Sequence, residues 1–364
     1  MKVLLLNDYP MDSYYNDWEK GITPGQQLWG KTEIDKMDGI EMIVMSHEEN
    51  KFLKKLGNLF LIQHLDLQLR ALKYSKEIDA YYSPFGTAAT KLLLILRVLG
   101  FLKTPIVVMV HYPLLGMDSS NKFKLWLGKK LLKGYDRVVF LSRKLKQDAL
   151  NAFKIGEEEC KNWLLTIDWG SETSYYKKFI NEEEEENYAV SNGQTDRDFD
   201  TLIEAFRGLD LRLKIFAKAD YKPKTNEIPS NVEIFTHWIN NNDLCRIYNK
   251  AKIVLVCFKM TKSSTLGLTS LFDSMSMGKA VIITENPYID IDVEKEGVGF
   301  IVKEGDVETW KDKINILLKD PNLRKEMGKK GLELQNKHFS LEKFGLNLFE
   351  IFKSLNKNDN FSKH

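Results

Sequence analysis

Short apolar runs of strand length alternate with helix-length amphipathic segments along nearly the whole chain, and the alternation stops once and then restarts. Residues 3–7, 41–45, 80–82, 106–110, 138–141 and 163–167 read as strands. Helical pattern fills residues 51–75, 87–99, 122–133 and 143–153 between them, and a further helix is expected to start near Pro24 after a polar loop. A parallel pair of strands needs a long return, so this alternation predicts a parallel sheet with helices on both faces. The clearest strand is residues 106–110, apolar throughout, as a strand buried on both faces must be. Residues 175–187 break the pattern around five consecutive glutamates at 182–186, which read as a solvated linker. Strands then return at 188–191, 213–216, 232–235, 253–257, 280–284 and 299–302, with helices at 200–206, 242–251 and 270–277. Three more helical segments follow, at 307–318, 322–336 and 341–355. A chain of 364 residues is more than one core usually absorbs. The expected architecture is α/β with two Rossmann-like domains: residues 1–170, an acidic linker at 171–187, residues 188–340, and a terminal helix within 341–364 that packs back toward the first domain.

Composition narrows the partners. A net charge of +2 gives no global pull toward nucleic acid. The three cysteines, Cys160, Cys245 and Cys257, form no CxxC pair and fit a reducing compartment. The six histidines show no zinc spacing. The N-terminal apolar stretch is too short and too soon acidic for a signal peptide, and the apolar region 92–115 is interrupted by Arg97, Lys103 and two prolines. These features predict a cytoplasmic protein that touches a membrane without crossing it, peripheral at its inner face. Residues 51–76 and 122–133 are basic and amphipathic; each reads either as a core-facing helix with a solvated lysine face or as a contact for anionic lipid.

The chemistry concentrates after the strand at 253–257. Small and hydroxylated residues, Ser263, Ser264, Thr265, Gly267, Thr269 and Ser270, precede a helix. A helix start presents free N–H groups and partial positive charge, which suits phosphate oxygens. By itself the stretch reads either as ordinary capping by Thr269 and Ser270 or as an anion cradle in which Gly267 admits the ligand to the backbone. Asp273 lies farther along that helix, on the face reaching back to the loop, where a carboxylate can accept from two ribose hydroxyls or merely balance the helix dipole. Arg197 follows the first strand of the second half, either as a bidentate phosphate ligand or as a surface partner of Asp196, Asp198 or Asp200.

The run Asp273-Ser274-Met275-Ser276-Met277-Gly278-Lys279-Ala280-Val281-Ile282 resembles the "EAMAxGKPVI" motif of GT-B fold retaining glycosyltransferases of family 4, and Gly267-Leu268-Thr269-Ser270-Leu271-Phe272 resembles the "GQTxLx" before it. Residues 190–206 resemble the family's "sxGrtxRDydtLieAf", and Gly297 to Val302 followed by Gly305-Asp306 resembles its "GxxGfLv…gD" close. Residues 138–142, 166–171 and the glycine loop 21–27 are similar to first-domain segments. The resemblance implies two Rossmann-like domains facing a central cleft and retaining transfer of a sugar from a UDP- or GDP-sugar to a glycan or lipid-linked acceptor, in surface polysaccharide or glycolipid synthesis, with no metal. It implies catalytic roles for His111, Arg197 and Asp273. It implies donor contacts by Gly25, Gly193, Arg197, Trp238, Thr265, Gly267, Leu268, Thr269, Ser270 and Asp273, with Lys259 or Lys262 helping to hold the diphosphate. Three positions depart from the family: Thr265 stands where the earlier of two glutamates is usual, Asp273 is one methylene shorter than the later one, and Gln194 replaces an arginine. They leave the donor sugar unspecified and keep a second reading open, a non-catalytic partner subunit or nucleotide-sugar-binding protein of the same fold.

Overall fold

The computed structural model describes residues 1–47, 50–181, 184–225 and 227–355. The described chain divides into two compact units, one of Met1–Glu19, Gly25–Trp169 and residues 341–355, the other of Lys20–Pro24 and Gly170–Ser340.

The first unit runs β1 (Lys2–Leu5), α1 (Met11–Glu19), a 3-10 turn (Gly25–Leu28), α2 (Lys31–Ile34), β2 (Glu41–Val44), α3 (Lys51–Leu59), α4 (Leu65–Lys73), β3 (Ala80–Ser83), α5 (Lys91–Val98), β4 (Ile106–Val110), α6 (Lys122–Leu132), β5 (Arg137–Phe140), α7 (Arg143–Phe153), α8 (Glu157–Cys160) and β6 (Leu164–Thr166). Its six parallel strands stand in the order β2-β1-β3-β4-β5-β6. All five residues of β4 are buried, as the apolar run predicts for a central strand.

The second unit runs α9 (Thr173–Lys177), β7 (Tyr188–Asn192), α10 (Phe199–Ala205), β8 (Arg212–Phe216), β9 (Val232–Phe235), α11 (Asn241–Lys250), β10 (Ile253–Val256), α12 (Leu268–Ser276), β11 (Val281–Thr284), β12 (Gly299–Val302), α13 (Val307–Lys319) and α14 (Pro321–His338). Its strand order is β12-β11-β10-β7-β8-β9, all parallel, which is the doubly wound order 3-2-1-4-5-6 read from the other edge. Helices α10, α13 and α14 close a core that contains Phe206, Leu202, Ile314 and the fully buried Trp310. The last helix, α15 (Leu341–Lys353), belongs to the first unit, where it packs on α2. Gly345 and Gly30 permit that contact: a Cβ on either would come within 3 Å of Glu33 or Leu348.

Three expectations change. The helical pattern at 51–75 is two helices, separated by a turn in which Leu61 and His64 take left-handed φ angles of 55° and 48°. The polar loop after β1 contains α1, and the helix expected near Pro24 is the 3-10 turn followed by the short α2. Residues 171–187 are not a free connection. Ser171 pairs with Ser340 in a parallel bridge, α9 packs on α12, and Glu185 makes ion pairs with Arg324 (2.6 Å) and Lys279 (3.4 Å). Glu182 and Glu183 lie outside the described residues.

Candidate functional site

Strands β7 and β10 are neighbours although β8 and β9 come between them in sequence. Crossovers leave this point of a doubly wound sheet in opposite directions, so the loops after both strands open onto one crevice. The loop after β7 supplies Gly193 and Arg197. Gly193 has φ 145°, and a Cβ there would stand 1.8 Å from Arg197 Nε, so the absent side chain is what lets the guanidinium fold back over the strand end. Arg197 Nη2 donates to Ser270 Oγ at 2.8 Å. Its Nε and Nη1 are buried and have no partner. The surface ion pair left open by the sequence does not form, because each neighbouring acid is engaged elsewhere. Asp198 pairs with Lys259 at 3.2 Å, Asp196 accepts from Thr261 Oγ1 at 2.5 Å, and Asp200 accepts from Tyr221 and from the Lys224 N–H. Burial lowers the Arg197 pKa from its ordinary value, and the Cys257, Tyr248 and Asp273 groups oppose that effect. A buried cation with unfilled donors is half of an anion site, since its hydrogen bonds are costly to leave unmade.

The loop after β10 supplies the other half. The Asn286 amide donates to the carbonyls of Ser264 (3.0 Å) and Leu266 (2.8 Å) and pins the loop. Helix α12 opens at Gly267, φ 92°, and no side chain caps it. The capping role open to Thr269 and Ser270 is therefore not taken: Ser270 Oγ faces Arg197, and Thr269 is exposed. Thr265 and Leu268 are buried, the Thr265 carbonyl accepting from the Leu268 N–H at 3.1 Å.

Asp273 stands three residues after Ser270, on the same side of α12. Its Oδ1 accepts from Tyr176 Oη at 2.5 Å. Burial raises its pKa to about 6, against the lowering effects of the Tyr176 bond and of Arg197. Tyr176, on α9, carries no motif; it falls where the sequence reads as the approach to a linker, and only the packing of α9 on α12 reveals it. Lys259 is held by Asp198, which leaves Lys262, exposed on the same loop, as the lysine available to a ligand. Trp238 stands 78% exposed on the loop between β9 and α11.

The remaining expected residues lie in the first unit. His111 follows β4, its ring stacked on Trp29 (5.5 Å, 25°) and edge-on to Tyr112 (4.5 Å). Its Nδ1 is buried without a partner, and burial lowers its pKa to about 4. Trp29 itself holds a left-handed φ of 49°, donates from Nε1 to Tyr9 Oη at 3.1 Å and touches Trp169. Gly25 opens the 3-10 turn, buried; the left-handed glycine of that loop is Gly21, φ 68°. Among the described residues, no group of three or more His, Cys, Asp and Glu side chains has the geometry for a metal ion, and no helix is long and apolar enough to cross a membrane.

Residues 172–334 match the family described as "Glycosyl transferases group 1". No curated protein matches the chain. Among solved structures, sucrose-phosphate synthase from Thermosynechococcus elongatus is similar with a TM-score of 0.69 at 14% identity, over 98% of this chain and 99% of that one. Anabaena HepE in complex with UDP-glucose gives 0.66 at 14% identity, over 97% and 100%. A glycosyltransferase from Rickettsia africae gives 0.62 at 18% identity, over 98% of each. At these identities the likeness establishes the fold, which is GT-B-like.

Proposed function

We propose that this chain, which belongs through residues 172–334 to the glycosyl transferases group 1 family, is a retaining glycosyltransferase that moves a sugar from a UDP- or GDP-sugar to a glycan or lipid-linked acceptor in the synthesis of surface polysaccharide or glycolipid. The carrying observation is Arg197: a buried guanidinium with two unfilled groups, beside the uncapped start of α12. Both features present donors to one anion of diphosphate type. Anabaena HepE, of the same fold, was solved with UDP-glucose, which supports uridine as the base to try first.

In this reading the bond between the anomeric carbon and the diphosphate oxygen breaks, and negative charge grows on the departing diphosphate. Arg197, the first N–H groups of α12 and Lys262 receive that charge. Asp273, ionised above about pH 6, accepts from the ribose hydroxyls, and Tyr176 fixes one of its oxygens. Gly193, Gly267, Thr265, Leu268, Thr269 and Ser270 shape the diphosphate cradle, and Trp238 lies against the nucleobase. His111, kept neutral by burial, offers the sugar a hydrogen bond and no charge. The acceptor hydroxyl passes its proton to the departing phosphate oxygen as the new bond forms. Gly25 contributes from the loop after β1. The reading places the work at the cytoplasmic face of a membrane, where lipid-linked acceptors are presented. It needs no metal, so protein treated with EDTA should turn over at the untreated rate.

Buried Thr265, where the family has a glutamate, favours one other reading: a subunit that binds nucleotide-sugar without turnover. Calorimetry with UDP, UDP-sugars and GDP-sugars, run beside a transfer assay, separates the two. Binding without transfer to any acceptor supports the second, and absence of nucleotide binding removes both.

A further inference from the structure

One side of the first unit is poor in acid among the described residues. Residues 80–135 hold eight lysines and arginines against a single acidic residue, Asp118, and residues 50–65 add three lysines and no acid. Topology gathers these segments. The steps from β2 to β3, β3 to β4 and β4 to β5 all move in one direction across the sheet, so right-handed crossovers lay α4, α5 and α6 side by side on one face. Helix α4 packs on α5, and α5 on α6. Each crossover leaves from the end of a strand, so α3 and the starts of α5 and α6 lie at the carboxyl edge of the sheet. Lys91, the first residue of α5, donates to the Leu61 carbonyl at 2.7 Å and joins the α3–α4 turn to that row.

The same edge exposes large apolar side chains. Phe52, Leu59, Phe60 and Leu61 are 61–74% exposed, Phe123 is 65% and Trp126 54%. Of the nine residues of α3, Gly57 alone is buried. A helix of that length is marginal in water, and this one leaves Leu53 and Leu56 only half-buried and Phe52 and Leu59 exposed. The turn after it holds Leu61 in a left-handed conformation that a γ-branched residue rarely adopts, so the apolar knuckle is maintained against local preference. One helical turn apart on α6, Phe123 and Trp126 stack at 5.8 Å with their rings 27° from parallel.

We propose that this edge is a docking surface for an anionic lipid bilayer. Phe60, Leu61, Phe123 and Trp126 enter the boundary between headgroups and acyl chains, and Lys51, Lys55, Lys122 and Lys124 meet the headgroup phosphates. Charge favours the bilayer over a second copy of the chain: among the described residues of this face lysines outnumber acids, so two copies meeting through it would oppose lysine to lysine with few acids to answer them. A bilayer supplies apolar depth and anions together, and the mixture of Lys, Phe and Trp is what a helix lying in that interface uses. The surface deepens the functional reading, on which it rests for the meaning of the acceptor: it favours a lipid-linked acceptor over a soluble glycan. Only part of the basic region 51–76 takes part, because Leu65, Leu67 and Ala71 of α4 are core and Asp66 pairs with Arg70.

The test uses the full chain with phosphatidylcholine vesicles, with and without phosphatidylglycerol. The protein is expected to co-sediment only with the anionic vesicles and to be released as salt rises. Phe60→Asp with Leu61→Asp, and separately Phe123→Glu with Trp126→Glu, should each lower the partition coefficient about tenfold. Leu99→Asp with Phe101→Asp alters exposed apolar residues at the opposite edge of the same sheet and should leave it unchanged. UDP affinity and melting temperature, measured on every variant, should match the parent. Equal binding to neutral vesicles, no binding at low salt, or carboxyl-edge variants that bind as the parent does would overturn the surface. So would a dimer in light scattering that those variants dissociate. Lipid binding without binding of UDP, GDP or their sugars would leave the surface standing and remove the glycosyltransferase reading.

Discussion

Arg197 joins sequence and site most directly. It was legible because it follows a strand by the length of one loop, and because Gly193 leaves the room its guanidinium fills. Replacing it with alanine should lower transfer by about two orders of magnitude or more, since a charge-stabilising donor is lost. Lysine should restore only part of that rate, lacking the planar fork. Wild-type-like turnover of Arg197→Ala would remove the residue from the mechanism. Asp273 makes a second prediction through its pKa, raised to about 6 by burial. A raised folded pKa means that the stability this group contributes is fully present below the unfolded value of 3.8 and is lost as pH rises through about 6. Asp273→Asn should therefore raise the melting temperature of the unliganded protein at pH 8 and have little effect near pH 4, while weakening nucleotide binding. A variant less stable at pH 8 would show that the carboxylate is a structural anchor. His111 has the opposite sign: its pKa is lowered to about 4, so its contribution is present above 6.5 and is lost as pH falls toward 4. The stack on Trp29 contributes to that burial, so Trp29→Leu should move the imidazole titration, followed by NMR, upward toward 6.5. The partners Tyr176 and Trp29 were not legible, because both reach their targets from elements distant in sequence and neither sits in a recognisable spacing.

At the scale of elements, strands were read more faithfully than the joints between them. The runs at 106–110 and 253–257 correspond to β4 and β10 because parallel strands buried on both faces have continuous apolar character. The break between α3 and α4 was hidden: apolar spacing continues through it, and the left-handed residues that make it, Leu61 and His64, are not the glycines that usually announce such a turn. Helix α1 was missed because its sequence, MDSYYNDWE, has few aliphatic residues and one buried side chain, Met11. The start of α12 gives a prediction at this scale. Gly267 combines φ 92° with a ring of Phe258 that would lie 2.5 Å from an added Cβ, whereas Gly305, φ 76°, has open space around it. Gly305→Ala should cost about 1 kcal/mol, the backbone term alone. Gly267→Ala should cost roughly 2–4 kcal/mol, adding the overpacking. Urea midpoints at constant slope measure both. Equal losses would mean that Phe258 swings aside freely, and that the helix start is not held where the diphosphate reading requires it.

At the scale of the molecule, each of the two compact units encloses its own sheet and its own core, one centred on β1, β3 and β4 and the other on β7, β10 and Trp310. The residues proposed to bind the nucleotide, from Gly193 and Arg197 to Asp273, all belong to the second unit. A ligand that binds native protein alone stabilises it by about RT ln(1 + [L]/Kd), roughly 2.7 kcal/mol at a hundredfold excess over Kd. For a unit of about 150–250 residues, at about 2–4 °C per kcal/mol, that corresponds to a rise of about 5–11 °C in melting temperature. Scanning calorimetry should accordingly resolve two transitions, and UDP without any sugar should move one of them by that amount. Tryptophan assigns it: of the seven, only Trp238 and Trp310 lie in the second unit, and Trp310 is 1% exposed. Trp310→Phe should lower the transition that UDP raises, because that ring fills the core under β10 and α13. A UDP shift confined to the other transition would relocate the nucleotide to the first unit and detach Arg197 from the diphosphate. A sugar-bearing donor that moves both transitions, where UDP moves one, would add the evidence that the transferred sugar reaches residues of the first unit, with His111 the first to examine.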